Sequence, residues 1–276
     1  MKSETTEKLE KLRDFLKGFK NALIAFSGGV DSATLAAICK QEIERVLAVT
    51  IRSQATPSRE IEQAIVLARE IGLEHEFITL DLLSLTEFIE NSRDRCYFCK
   101  KEMLKTLVSF AEKKDFEVIF EGTNSTDLRK ERPGFRAVKE EKNVISPWVK
   151  FGFEKEEIRE IARFLGLSVH DSPSLSCLAT RIPFGFKITA EVLRMVDEAE
   201  NYILKISGVR EIRVRNINGI AVLEIGEGDM KEFLKMTNIL DIRKKLHELG
   251  FRSVLLNLDC YSEGGAEKLR ELRIKV

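Results

Sequence analysis

A chain of 276 residues has room for two domains, and an apolar share of 43% is enough to fill a core in each. Forty-five Lys and Arg balance 45 Asp and Glu, so no overall field of either sign gathers nucleic acid or an anionic membrane. The charged, helix-patterned start Met1–Lys20 lacks a signal-peptide core and no apolar run spans a bilayer, so the expected location is cytoplasmic, without membrane association.

Strand and helix alternate from there. Leu23-Ile24-Ala25-Phe26 reads as a buried strand leading into a Gly pair and a helix over Ser32–Gln41, and Arg45–Arg52 reads as the next strand. A helix follows with Thr56 as N-cap, Pro57 at its first position and Gly72 beyond its end. His75–Leu82, Phe116–Gly122 and Asn143–Val149 are the third to fifth strands, with helices over Tyr97–Lys113 and Glu154–Leu165. Repeated βα units predict a doubly wound parallel sheet in an α/β fold, with Trp148, Phe151 and Phe153 packed in its core. After Asp171 a polar, proline-punctuated loop runs to Phe186. A helix from about Thr189 follows, then two strands joined at Asn218-Gly219, a helix opening at Asp229 with Glu232 as a capping box, and a strand over Arg252–Asp259. The expected domains are therefore 1–185 and a small α+β domain, 186–276.

The strand-to-helix turn Ser27-Gly28-Gly29-Val30-Asp31-Ser32 carries the first chemistry. Two glycines let bare backbone approach an anion, the helix N-terminus offers unpaired N–H groups, and Asp31 can hold the magnesium that accompanies a polyphosphate. A plain Gly-rich βα turn is the alternative. The hexapeptide lacks a Walker lysine and is similar to the SGGxDS signature of the ATP-pyrophosphatase (PP-loop) superfamily, whose fold is of the adenine nucleotide alpha hydrolase type. Gly122, Thr123, Asn124 and Asp127 resemble that superfamily's GTN-x-x-D element, which faces the nucleotide.

Arg95-Cys96-Tyr97-Phe98-Cys99-Lys100, Pro173-Ser174-Leu175-Ser176-Cys177-Leu178-Ala179-Thr180-Arg181-Ile182-Pro183, the pair Arg213 and Arg215, and the ending Gly250-Phe251-Arg252 to Tyr261 together resemble the LarE family of ATP-dependent sulfur transferases. The resemblance implies adenylation, with ATP and Mg2+, of a carboxylate on a small nucleotide-like substrate, in nickel-pincer nucleotide cofactor biosynthesis. It implies attack by sulfur at Cys177 and a substrate phosphate gripped by Arg181, Arg213 and Arg215. It also implies a homo-oligomer, for which some members form hexamers, with the 186–276 domain serving substrate binding or oligomerisation. The upstream donor would be sulfide or another sulfur source.

Taken as residues, Arg213 and Arg215 fit a solvated strand face, and Glu200 and Glu224 fit either surface positions or an acidic, metal-associated pair. Cys96 and Cys99 at a helix start, with Cys177, match the family's three-cysteine branch and imply a 4Fe–4S cluster; zinc, a redox dithiol or unrelated thiols are the other readings. Cys39 and Cys260 are expected to be buried or incidental, and Arg243-Lys244-Lys245 a solvated helix face. A tRNA thiolase is the nearest alternative, but residues 181–276 hold 17 Lys and Arg against 15 Asp and Glu, so nucleic acid is not an expected partner. An amide-forming synthetase of NAD or GMP type leaves Cys177 without work.

Overall fold

Apolar residues on both faces of the central strands organise the first sheet. In the computed structural model, which describes residues 2–129, 133–173, 175–236 and 239–261, β1 (Asn21–Ala25), β2 (Arg45–Arg52), β3 (Glu74–Thr79), β4 (Ile119–Phe120) and β5 (Val144–Ile145) pair in parallel, in the order β3-β2-β1-β4-β5. Successive side chains alternate between faces. Ala22, Ile24, Val46 and Ala48 join one buried cluster, while Leu23, Leu47, Val49 and Ile51 join another. Helices Ser3–Leu16, Val30–Glu42 and Lys155–Phe164 close the first with Leu12, Leu16, Leu35, Ile38, Ile158 and Ile161; Arg95–Lys113 and Pro133–Glu140 close the second with Leu104, Leu107, Ala137 and Val138. Each such Leu, Ile or Val side chain, once fully buried, contributes roughly 1.5–3 kcal/mol. This is the doubly wound α/β fold expected from the sequence. The connections leave β1 toward β2 on one side and the order continues to β4 on the other, so the topological switch point lies between β1 and β4.

Several predicted elements are shorter than expected. β5 ends at Ile145 because Pro147, which has no N–H, opens the single helical turn Pro147–Lys150. β4 gives way after Phe120 to a turn in which Asn124 and Asp127 form a capping box for Ser125–Leu128. β3 stops at Thr79, and Asp81 then accepts from the Leu83 N–H to start a 3-10 turn over Leu82–Ser84. The helix placed after Thr56 is Ser58–Ile71, one residue later than expected, and Gly72 beyond it has φ +74°.

Contacts divide the chain into two units: Met1–Ser53, Ser58–Leu80 and Asp94–Leu175 form the first, and Gln54–Pro57, Asp81–Arg93 and Ser176–Val276 the second. The second contains the helix Ala190–Ser207 and the sheet β6 (Ile212–Ile217), β7 (Ile220–Ile225) and β8 (Ser253–Leu256). β6 and β7 are an antiparallel hairpin turned at Asn218-Gly219, both with positive φ, and β8 adds in parallel to β7. The terminal strand is thus shorter than Arg252–Asp259. The capping box at Asp229 is replaced too: the helix is Glu227–Leu234, and the Asp229 carboxylate accepts instead from the backbone N–H groups of Arg210 (2.8 Å) and Glu211 (3.1 Å). Of the basic run, Arg243 and Lys244 are exposed and Lys245 is half-buried.

Candidate active site

The carboxyl ends of β1 and β4 bring two polar turns together in the first unit. Gly28 has φ +75°, and a Cβ there would lie 2.8 Å from the Ala64 backbone nitrogen, so the turn admits glycine alone without displacement. Gln63 Nε2 donates to the Gly28 carbonyl at 2.7 Å and fixes the outer side of the loop. Gly29 is the N-cap of Val30–Glu42, which therefore presents its first N–H groups at the turn. Inside the loop, Ser32 Oγ donates to Gly29 O (3.1 Å) and receives the Ser27 N–H (3.2 Å), and the two hydroxyls lie 3.2 Å apart. Gly122 of the second turn packs so close that a Cβ would meet Ser32 N at 3.1 Å and Asp31 Cβ at 3.3 Å.

Asp31 stands where the two turns meet. Its carboxylate pairs with Lys155 Nζ and accepts from Asn124 Nδ2 at 3.3 Å, and Trp148 Nε1 donates to its carbonyl at 3.1 Å. Burial pushes the Asp31 pKa up, with the Asp127 charge adding to it, and Lys155 and Asn124 recover only part of that shift. Glu121, buried at the end of β4, has the opposite balance. Burial alone would raise it, but Lys100 (3.2 Å), Ser146 and Thr123 Oγ1 (2.7 Å) outweigh that and hold its pKa below the ordinary carboxylate range.

In the second unit, Cys177 is half-buried and is the N-cap of the 3-10 turn Leu178–Arg181, whose amide Leu178 N donates to Ala55 O at 2.9 Å. Arg181 is completely buried and organises this turn. Its Nε and Nη2 reach Glu200 Oε1 and Oε2 at 2.8 and 2.9 Å, and its Nη1 reaches Ser176 O and Oγ, both at 2.7 Å, and Cys177 O at 3.2 Å. Burial opposes the Arg181 charge, and Glu200, Cys177 and Tyr261 outweigh it, so its pKa is raised. All three nitrogens being engaged, Arg181 holds the Cys177 turn in place.

Arg213 and Arg215 do not form the solvated strand face that their residue type suggests. They are 2% and 4% exposed, and both guanidinium groups face the Tyr261 ring, at 4.5 and 6.0 Å from its centroid. Arg215 pairs with Glu224 (2.6 Å) and donates to Thr180 O (3.1 Å); Arg213 Nη1 donates to Ile212 O (2.8 Å). Glu200 and Glu224 are likewise buried, as acceptors of Arg181 and Arg215, and are not surface positions. Ser174, part of the motif around Cys177, lies outside the described residues.

A family model described as NAD synthase matches residues 6–107, which include the phosphate loop. Uncharacterized proteins of Methanocaldococcus jannaschii and Synechocystis sp. are 36% and 34% identical, over 92% and 93% of this chain and 97% and 96% of their own. Pyridinium-3,5-bisthiocarboxylic acid mononucleotide synthase of Lactiplantibacillus plantarum is 30% identical over 251 residues, 90% of each chain. The chain belongs to the LarE family. It is an ATP-dependent enzyme built on a PP-loop domain.

The nucleotide-binding expectation of a LarE-family chain has a physical counterpart here. A glycine cradle at a helix N-terminus suits a polyphosphate, and the oxygen donors of Asp31 and Asp127 suit Mg2+, which uses one or two carboxylates together with phosphate oxygens. Cys96 is exposed on the first turn of Arg95–Lys113 and Cys99 half-buried at the start of the second, and the Cys99 thiol lies 3.8 Å from Met103 Sδ. Among the described residues, no group of three or more His, Cys, Asp and Glu is assembled to hold a metal ion. Also among the described residues, no helix is long and apolar enough to cross a membrane. Cys39 is fully buried in the core, which pushes its thiol pKa up, and Cys260 is half-buried.

The sequence assigns no role to Lys155, places Lys100 and Glu121 in motifs without pairing them, and suggests core packing alone for Trp148. Trp148 is indeed fully buried, edge-on to Phe153 at 5.0 Å, but it also holds the Asp31 backbone. Lys155 carried a signal that went unread. It opens a helix whose first turn is otherwise acidic, Glu156 and Glu157, where the macrodipole disfavours a cation.

Proposed function

We propose that this chain is an ATP-dependent sulfur transferase that adenylates a substrate carboxylate, releases pyrophosphate and replaces the acyl-adenylate with sulfur, in the making of a nickel-pincer nucleotide cofactor. The observation that carries the reading is the contact of the Ser27–Ser32 loop with the Gly122–Asp127 turn around Asp31, at the switch point of the sheet. The carboxylate oxygen attacks the α-phosphorus of ATP, and the α–β bridging bond breaks with its electrons on pyrophosphate. The mixed anhydride then has AMP as a leaving group, which a bare carboxylate lacks. Ser27–Ser32, Gly122, Thr123, Asn124 and Asp127 bind ATP with Mg2+ at Asp31. A sulfur held at Cys177 attacks the acyl carbon and expels AMP, with Arg181 and Glu200 positioning that turn. Sulfide gives the thiocarboxylate directly, whereas the Cys177 thiolate gives a thioester whose Cβ–S bond then breaks with loss of the Cα proton, leaving thiocarboxylate and dehydroalanine. Arg213 and Arg215 are assigned to the substrate phosphate, whereas Arg181, expected there with them, has its guanidinium taken up by Glu200 and the Ser176–Cys177 backbone and is assigned to positioning the turn. In support, Arg213 and Arg215 share one direction on β6 and frame the Tyr261 ring.

Cys96, Cys99 and Cys177 are proposed to ligate a 4Fe–4S cluster, which would supply sulfide in place of a sacrificed cysteine sulfur. The chemistry of three cysteine thiols, two of them at i, i+3 on neighbouring turns of one helix, supports the assignment. The enzyme is further proposed to be a cytoplasmic homo-oligomer that receives sulfide or another sulfur donor. The test of the main reading is product analysis of ATP turnover: AMP and pyrophosphate are expected, and Asp31→Ala or Ser32→Ala abolishes both. ADP and phosphate would overturn it. Anaerobic reconstitution tests the cluster through iron and sulfide content, which Cys96→Ala, Cys99→Ala or Cys177→Ala should each remove. Colourless active protein with dehydroalanine at position 177 would reject it.

A further inference from the structure

The ion pair between Lys155 and Asp31 places a cation where the helix dipole disfavours one. Lys155 is the first residue of its helix, at the positive end of the dipole, and both side chains keep about a fifth of their surface open (23% and 21%). Its backbone, however, is anchored: Lys155 N donates to Thr126 Oγ1 at 3.0 Å, inside the Gly122–Asp127 turn, and the Glu154–Glu157 capping box fixes the helix start. A flexible ammonium on a fixed stem is thereby aimed at the one loop carboxylate suited to Mg2+. The groups facing Asp31 are Lys155, Asn124 and the Asp127 carboxylate, so Lys155 is the cation among those named.

We propose that Lys155 is the exchangeable counter-ion of Asp31: it neutralises the carboxylate until Mg2+ arrives with ATP, yields Asp31 to the metal, and carries its freed positive charge to the departing pyrophosphate. The proposal rests on the adenylation reading above. Atoms and charges balance without proton transfer. The substrate carboxylate gains the bond to the α-phosphorus, the bridging oxygen leaves with the electron pair, and the ammonium stays protonated throughout while offsetting charge on the leaving group. Exchange of one cation for another at the same oxygen means that Lys155 and the metal compete for Asp31 before nucleotide binds, and Lys155 assists afterwards. The two effects have opposite signs, which makes them separable.

The experiment titrates the full chain with Mn2+ alone, followed by electron paramagnetic resonance, and then measures AMP formation. Lys155→Met should bind Mn2+ on the order of 5–10-fold more tightly than the wild type, since its competitor is gone. The same variant should lose about 10²-fold in kcat for AMP formation, with a much smaller change in KM for ATP. Lys155→Arg should restore both the weak Mn2+ binding and part of the rate. Asp31→Asn should remove the tight Mn2+ site in the Lys155→Met background. Unchanged or weaker Mn2+ binding by Lys155→Met overturns the proposal, as does a rate loss that Lys155→Arg fails to relieve. Circular dichroism of each variant separates these outcomes from misfolding. If the wild type makes no AMP, the adenylation reading fails by that result, whereas the Mn2+ comparison still reports on the counter-ion role.

Discussion

Around Ser27–Ser32 the facing polar atoms are mostly backbone groups and short hydroxyls, whereas around Arg181 they belong to long charged side chains withdrawn from water. The first region works by close approach: Gly28 leaves no room for a Cβ against Ala64 and Gly122 little against Ser32, and the carboxylate of the Ser27–Ser32 loop, Asp31, has a counter-ion on a flexible arm. The second works by satisfaction. Arg181 with Glu200, and Arg215 with Glu224, pair inside the protein and use their remaining donors on the turn that carries Cys177. Charge in the first unit is left available for a ligand, and charge in the second is largely committed to geometry. The comparison predicts that stability depends on the second set and turnover on the first.

Glu200→Ala offers the strongest challenge to that division. It leaves the fully buried Arg181 without its bidentate partner, and breaking a buried pair in this way costs about 3–5 kcal/mol. Chemical denaturation should show the loss. The double variant Arg181→Met/Glu200→Leu should recover much of it, because matched apolar side chains leave no buried charge behind. If the single variant is as stable as the wild type, the pair is not the structural element described above.

Gly28→Ala should act on the other side of the comparison. With φ +75° and a backbone atom 2.8 Å from the new Cβ, the loop has to move away from its N–H-presenting shape. A loss of roughly 10²-fold in kcat/KM for ATP is expected, of the size seen when one donor to a reacting group is misplaced. Denaturation midpoints should move much less than for Glu200→Ala. Trp148→Phe is milder again. It keeps the aromatic packing on Phe153 but deletes the donor to Asp31 O, so AMP formation should fall about 5-fold, the worth of one hydrogen bond of about 1 kcal/mol.

This contrast also separates what could be read in the sequence from what could not. Close approach leaves a local mark, because the glycines and the short polar residues beside them are contiguous in sequence, and the Ser27–Ser32 and Gly122–Asp127 turns were legible through their full SGGxDS-like and GTN-x-x-D-like patterns rather than through glycine alone. The parallel sheet was legible through the apolar runs at Leu23–Phe26 and Arg45–Arg52. Burial of Arg213, Arg215, Glu200 and Glu224 left no such mark. Their alternation on a strand and spacing on a helix equally describe exposed residues, and only the partner, distant in the chain, decides which holds: 19 residues separate Arg181 from Glu200. Strand ends were misjudged where side chains took over the backbone's bonding, as Asn124 and Asp127 do after β4.

Glu121 links both regimes, being a buried carboxylate satisfied by protein yet adjacent to the nucleotide turn, and Lys100→Met measures which regime governs it. Its pKa is held below the ordinary value of about 4.3 by Lys100, Ser146 and Thr123 against the opposing pull of burial. A lowered carboxyl contributes stability above its unfolded-state pKa, and that contribution is lost as pH falls through the lowered folded value. Removing Lys100 raises the folded pKa, so the variant should be less stable than the wild type at neutral pH, by about 1 kcal/mol given that Lys100 is partly solvated. The difference should shrink as pH drops below the unfolded value and vanish once Glu121 is protonated in both proteins. Urea denaturation at a series of pH values from neutral to strongly acid reads this directly. A difference that stays constant across the series would mean that Lys100 stabilises by packing its methylene stem, with Glu121 held by its hydroxyl partners alone.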